Sequence, residues 1–380
     1  LEAAISSLKR PLSISRPGPV APNLSWETVT TLDFGIDFSL WNYKLDVTFD
    51  YYQRDTKDML TKGRTLPAVL GTAEPNENAA DLRTNGWETS VRWNDRTTFL
   101  GKPFRYNFGV VLADNWARIT RFDNPNNYLG DFYEGQDFGE IWGYETLGFF
   151  QSQEEIDAAP DHTGLMRRPA DLAPGDLRFA DLNNDGVIDE GDFTLDNPGD
   201  MRVIGNSSIR MTYGVTGGFD WNNFNLSFFF QGVGQHDFLP GRDDAFMWSV
   251  YNRPYNTVLE HIVGNYWTPE NRDAYFPRLF GYAALGSGKQ MIAPQTRFIQ
   301  DASYIRLKNL TVGYTLPQAL TRRIGIERLN IYLSGENIWE DTNMIMPVDP
   351  ELLNVPGQTW GDGQGYPYQR TYSFGLNVTF

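Results

Sequence analysis

The sequence contains no cysteine and only three histidines in 380 residues. Disulfides, thiolate metal sites and a cysteine nucleophile are therefore excluded, and an extracellular location would have to be managed without covalent staples. His162, His236 and His261 have no zinc-ligand spacing to one another, which makes each a polar loop or lumen residue. Positive charge is also scarce: 32 Lys and Arg against 48 Asp and Glu give a formal net charge of -16. Such a surface repels phosphate backbones, so no nucleic-acid partner is expected. No run of about 18 apolar residues exists, so no transmembrane helix is expected, although barrel strands leave only a weak hydropathy signal. The chain starts at Leu1 with neither Met nor a signal-like apolar stretch, and it reads as a piece of something longer.

Aromatic residues are plentiful, with 11 Trp, 19 Tyr and 25 Phe, far too many for a disordered chain. They fall largely into a period of two. In TLDFGIDFSLW, Leu32, Phe34, Ile36, Phe38 and Leu40 alternate with Asp33, Gly35, Asp37 and Ser39. That is a strand with one apolar and one polar face. The same alternation recurs through nine segments, roughly 29–41, 43–57, 79–94, 103–118, 207–221, 223–238, 301–316, 328–341 and 368–380. Each is long for a globular sheet and long enough, at about 9–11 residues, for a tilted strand to cross a bilayer.

The connections alternate in length. Short ones sit near 42, 94–103, 222 and 317–327; long ones span about 58–78, 119–206, 239–300 and 342–367. Strict alternation of turns and long loops is the pattern of a transmembrane barrel, with the turns periplasmic and the loops extracellular. Trp41, Trp93 and Trp221 all lie at the short-turn ends, as an aromatic girdle at the headgroup level would. In a soluble β-sandwich they would be ordinary core tryptophans, and alternation alone fits both architectures. Strand length and loop asymmetry favour the barrel.

Seven stretches carry a family resemblance: NLSWETVTTLDFGIDF (23–38), DYYQRDTKDML (50–60), GEIWGYETLGFFQSQEEI (139–156), GDLRFADLNNDGVID (175–189), ASYIRLKNLTVGYTLP (302–317), YLSGENIW (332–339) and YSFGLNVTF (372–380). In that order they resemble the SusC/RagA family of TonB-dependent outer-membrane transporters. The resemblance implies a barrel of about 22 strands with a plugged lumen, in the outer membrane of a Gram-negative bacterium. It implies a SusD-like surface lipoprotein as lid, energy from the TonB complex acting on the plug, and oligosaccharides or peptides as cargo. The sequence departs from the pattern in having no plug and no TonB box, and nine strands cannot close a barrel that wide. The expectation is a C-terminal barrel portion over 29–380, in contact with outer-membrane lipid, preceded by a loop or boundary segment over 1–28. The terminal Phe380, in phase with Tyr372, Phe374, Leu376 and Val378, looks like the signal read by the outer-membrane insertion machinery; a sheet strand that happens to end on Phe is the plainer alternative.

One motif points to a metal. In DLNNDGVIDEGDF, the spacing of Asp181, Asn183, Asp185, Val187 (through its carbonyl), Asp189 and Asp192 matches a calcium-binding loop, with Gly186 at the sharp turn. Asp192 stands where a longer Glu usually closes the shell. Pro174, Gly175, Asn197, Pro198 and Gly199 flank the loop, so an EF-hand with its two helices is not expected. Calcium here would be structural, ordering the long 119–206 connection. A network of Asx turns holding itself together is the alternative.

Catalytic signatures are lacking. GYAALGSGKQ departs from a phosphate loop at Ala283 and Gln290, and no G-x-S-x-G elbow occurs. Among 48 acidic residues nothing singles out a glycosidase pair. The chain is not expected to be an enzyme. Loop aromatics such as Trp142, Tyr144, Phe149, Phe150, Trp248, Tyr251, Tyr266, Trp267 and Trp360 could stack on sugar or peptide, but loop-against-loop packing is the first expectation. The rival from another class is a secreted, calcium-dependent β-protein that binds or cleaves glycans.

Overall fold

The computed structural model describes residues 21, 24–67, 69, 74–166, 172–241, 244–281, 289–353 and 365–380. Most of the 1–28 segment and of the GYAALGSGKQ stretch, together with Trp360, lies outside the described residues. Nine strands form one antiparallel sheet whose spatial order is the chain order. They are β1 (Thr28–Leu40), β2 (Leu45–Lys62), β3 (Asn76–Phe99), β4 (Lys102–Phe122), β5 (Arg210–Trp221), β6 (Phe224–Gln235), β7 (Tyr304–Thr315), β8 (Arg328–Thr342) and β9 (Thr371–Thr379). The nine alternating segments are these nine strands. β1 and β9 are the two edges of the sheet. No helix among the described residues is long and apolar enough to cross a membrane.

Register turns the alternation into two faces. Phe38, Val47, Val91, Val110, Val215 and Phe230 are successive cross-strand partners from β1 to β6, and the row continues into Leu307 and Trp339. Leu226, Val312, Leu333 and Phe374 form a second apolar row. The opposite face carries rows such as Ser39, Asp46, Arg92, Gly109 and Thr216. Among the described residues nothing covers this apolar face: Leu333 is 62% exposed and Phe374 65%. A sandwich would have closed that face with a second sheet.

Local chemistry sets the short turns. Asn222 (φ 44°) and Asn223 (φ 75°) form the two-residue turn between β5 and β6, a backbone region asparagine tolerates well. Leu100 and Gly101 do the same between β3 and β4, with φ of 49° and 73°. The three tryptophans gather at this end but not in a core. Trp41 is 62% exposed and meets Trp93 edge-on at 5.7 Å, and Trp221 lies 5.4 Å from Phe99.

The strands overrun the alternating segments. β2 and β3 pair up to Lys62 and Asn76, shrinking the 58–78 connection to 63–75, while β3 runs on to Phe99. Ion pairs hold this part of the sheet beside apolar contacts such as Phe99 on Trp221 and the wholly buried Ile119. Arg83 binds Asp55 at 2.6 Å, Arg121 binds Asp81 at 2.7 Å and Asp58 at 3.0 Å, and Lys44 binds Asp95 at 2.9 Å.

The long connections at the opposite end are folded, where the sequence pattern suggested only loops. They add three small two-stranded sheets, pairing Glu140–Tyr144 with Met201–Asn206, Thr146–Phe149 with Leu177–Phe179, and Asp237–Phe238 with Gln300–Asp301. The hydrophobic core of the chain sits here, built on Phe149, Phe179, Ile188, Trp248, Tyr251, Phe276 and Phe298.

Candidate functional site

The structured region away from the sheet is this body of connections, and charged side chains fasten it. Arg306 of β7 is 1% exposed and binds Glu340 of β8 at 2.6 Å, Asp349 at 2.8 Å and Glu351 at 2.7 Å. Lys308 reaches Glu351 at 2.8 Å, and the Tyr368 ring covers both cations, 5.4 Å from Arg306 and 4.5 Å from Lys308. The 349–351 turn is thereby clamped to the sheet. Further along, Asp114 of β4 receives Arg210 of β5 at 2.5 Å and the Met211 amide at 3.1 Å. Inside the body Arg278 binds Asp176 at 2.9 Å, joining the 119–206 connection to the 239–300 connection. Such pairs act chiefly by geometry: each withdrawn partner would leave a buried charge alone.

Asp181, Asn183, Asp185, Val187, Asp189 and Asp192 lie on one exposed loop, but they do not converge as one set. Asp181 accepts the Gly186 amide at 3.0 Å, Asn183 the Asp185 amide at 3.0 Å, and Asp185 the Val187 amide at 2.8 Å. This half is a chain of Asx turns around Gly186, whose φ of 85° suits glycine. Asp189 instead accepts the Gly191 amide at 2.7 Å, and Asp192 accepts the Asn197 side chain at 2.9 Å. Among the described residues no three His, Cys, Asp or Glu side chains come together as a metal-holding group. One atom lacks a partner: Asp181 Oδ1 is enclosed without a hydrogen bond.

Asp200, which the spacing did not single out, anchors the loop. It is 0% exposed and takes the Leu182 amide at 2.7 Å and the Asp189 amide at 3.0 Å. Burial pushes its carboxyl above the usual carboxylate range, against the pull of those amides. It lies eight positions beyond Asp192, outside any calcium-loop spacing, so only tertiary contact reveals it.

Two histidines expected to be polar loop or lumen residues, His162 and His236, are instead buried. His162 Nε2 accepts the Phe179 amide at 3.0 Å, and its Nδ1 sits 2.7 Å from the Pro160 carbonyl. That arrangement needs a neutral ring protonated at Nδ1, and burial lowers the pKa accordingly. The loop aromatics pack as expected: Tyr144, Phe149, Phe150, Trp248, Tyr251 and Trp267 are buried, and Trp142 and Tyr266 lean on the same core.

Known proteins share this sequence and architecture. No family model matches the chain. It is 28% identical over 389 residues to TonB-dependent receptor P26 of Formosa agariphila, covering 97% of this chain and 36% of that one. It is 24% identical over 386 residues to the TonB-dependent receptor SusC of Bacteroides thetaiotaomicron, covering 97% of this chain and 33% of that one. Its fold matches the solved structure of the RagAB peptide transporter with a TM-score of 0.68 at 21% identity, over 96% of this chain and 36% of that one. The chain spans about a third of the length of the curated relatives it matches. The likeness to SusC/RagA-like TonB-dependent transporters thus runs through nearly the whole chain, and these relatives are receptors and transporters rather than enzymes.

Proposed function

We propose that the chain is a barrel-wall portion of an outer-membrane, TonB-dependent importer that takes up oligosaccharides or peptides beneath a SusD-like lipoprotein lid. The observation that carries this reading is the pairing of two surfaces. An uncovered apolar face runs across all nine strands, and a folded, disulfide-free body stands at one end of them. Lipid would cover the first; the second would face the medium and meet the lid and cargo. The TonB-dependent receptor SusC supports the TonB-driven reading, and the RagAB peptide transporter supports the peptide class of cargo. The test is intact-complex mass spectrometry of the full-length protein extracted from outer membranes in mild detergent. A co-purifying lipoprotein is expected. A protein that leaves the membrane fraction without detergent, as a monomer, would overturn the reading in favour of a secreted glycan-binding protein.

We also propose a structural calcium ion at the Asp181 end of the Asp-rich loop, where Asp181 Oδ1 has no other partner. Asn183, Asp185 and the Val187 carbonyl would complete that side, and Asp189 and Asp192 would have to release their present turns to join it. Calorimetric titration of the metal-free, full-length protein with calcium should show binding that Asp181→Asn abolishes. Absence of heat in the unmutated protein would leave the Asx-turn network as the whole account of the loop.

A further inference from the structure

At the turn end of the sheet a cavity of about 840 Å³ spans β4 to β9. Lys102 and Arg105 of β4, Arg328 of β8 and Asn377 of β9 line it, with Asn225 of β6 and Asn330 of β8 between them. From these we infer that the cavity seats an acidic stretch of polypeptide, gripped through its carboxylates and resident on the polar face of the sheet. The inference rests on the importer reading, which makes this face the lumen wall, and it assigns to that wall an occupant and the sign of its charge.

The alternation that builds the sheet brings these side chains together. Phe104, Trp221, Phe224 and Tyr314 are successive cross-strand partners in the apolar face. Their chain neighbours Arg105, Asp220, Asn225 and Thr315 therefore turn to the polar face. Thr315, Asn330 and Asn377 are partners in register across β7, β8 and β9. The Asn330 side chain donates to Asn225 Oδ1 at 3.3 Å and to Thr315 Oγ1 at 3.1 Å. This part of the wall is thus ordered before any occupant arrives, which spares a ligand that entropy.

The charge here is inverted. The chain carries a formal -16, yet Lys102, Arg105 and Arg328 share the lining with one carboxylate, Asp220. Among the described residues none of these three cations makes an ion pair or a side-chain hydrogen bond. Arg96 of β3 stands directly opposite Arg105 in the ladder, a like-charge pairing that costs stability unless an anion answers it. Asp95, beside Arg96, is taken by Lys44 at 2.9 Å. The turns at this end, 41–44, 100–101, 222–223 and 316–327, are all described, and none of them supplies an ion pair to Arg96, Arg105 or Arg328.

Polypeptide fits this seat better than other anions do. An anionic lipid would bring acyl chains, and the apolar rows lie on the opposite face of the sheet. A sugar acid finds no aromatic platform, because Trp221 and Phe224 belong to an apolar row. The side-chain amides of Asn225, Asn330 and Asn377 offer donors and acceptors together, which match the N–H and C=O of a peptide backbone. Arg105 and Arg328 can each take a carboxylate in a bidentate pair. Cargo in transit is the poorer occupant, since a site on an exit route must release what it binds. The chain spans about a third of its curated relatives, and a tethered stretch of the full-length polypeptide would reach the seat at high effective concentration. That stretch is the occupant assigned.

The test places a photoreactive benzoylphenylalanine at Asn377 of the full-length protein, and separately at Thr379, and reads the cross-links by mass spectrometry. An intramolecular cross-link to a stretch rich in Asp and Glu is expected. Arg105→Gln combined with Arg328→Gln should lower its yield about threefold, as should raising salt from about 0.1 M to about 0.5 M. Arg322→Gln, outside the cavity, should leave the yield unchanged. Thermal unfolding of each variant shows that it folds. A cross-link to a neutral or basic stretch, to lipid or to a separate peptide would overturn the inference, as would the lack of any intramolecular cross-link from either position or a yield indifferent to the double substitution. TonB-dependent uptake in cells is scored in parallel. Uptake without the acidic cross-link sinks this inference and leaves the importer standing; the cross-link in a protein without TonB-dependent uptake does the reverse.

Discussion

On the sheet, large apolar side chains such as Leu333 and Tyr372 lie exposed; in the connections Phe150, Phe276 and Ile188 are wholly enclosed. The two regions draw on the same residue types, so composition does not separate them. Arrangement does. Period-two alternation places every apolar side chain of a strand on one face, and a single sheet has no second layer to bury that face. Lipid is the natural cover. The connections scatter their aromatics without a period, and the chain folds back on itself to enclose them, with edge-on contacts such as Trp248 against Phe298 at 5.1 Å. On the proposed reading, one region meets hydrocarbon and the other water.

The sharpest way to break this comparison is to truncate one residue in each region. Trp248→Ala should cost about 3–5 kcal/mol by opening a cavity in the body. Leu32→Ala, at a position 72% exposed, should cost within about 1 kcal/mol. Chemical denaturation of the full-length protein in detergent reads both, and equal losses would erase the distinction. Next in size is the clamp between the regions. Arg306→Met leaves Asp349 and Glu351 without their main cation and should cost roughly 3 kcal/mol. Hydrogen exchange should rise at 349–351 and not in the distant Asp-rich loop.

A charge placed on the apolar face sharpens the contrast from the lipid side. Val312 lies between Leu226 and Leu333, so Val312→Arg should destabilise the protein by roughly 2–3 kcal/mol when it folds into phospholipid vesicles. An exposed position in the body, such as Glu154→Arg, should shift stability by no more than about 0.5 kcal/mol. A graded effect is expected from pH. The His162 pKa is lowered in the folded body, so the unfolded chain takes up the proton first as pH falls. Stability from this residue is full above about pH 7 and is lost below about 6.5, by at most about 1.4 kcal/mol per pH unit. Protection of the Phe179 amide, taken relative to the intrinsic exchange rate at each pH, should fall between pH 7 and 5, and His162→Gln should flatten that dependence.

Much of the sheet is legible in the chain because alternation is a local signal: Leu32 to Leu40 declare a strand without reference to any other segment. Strand ends are less legible. Beyond the apolar stretch, pairing is held by partners such as Arg121 and Asp81, forty positions apart, and no periodicity marks them. The same holds for the candidate site. Spacing drew Asp181 to Asp192 together, yet it is Asp200 that holds the loop from beneath, and Arg306 finds its carboxylates at 340, 349 and 351. The cavity at Arg105 joins residues from 102 to 379 and has no counterpart in any local pattern.

What the sequence determined by itself is the alternation: nine strands, their two faces, the short turns at asparagine and glycine, and the want of cysteine that leaves the body to non-covalent packing. These follow from steric and solvation rules acting within a few residues. Only the tertiary structure decided which connections fold together and which charges are buried. Those features depend on contacts between segments from about ten to more than a hundred residues apart, where chain entropy opposes every closure and only the summed burial of the core outweighs it.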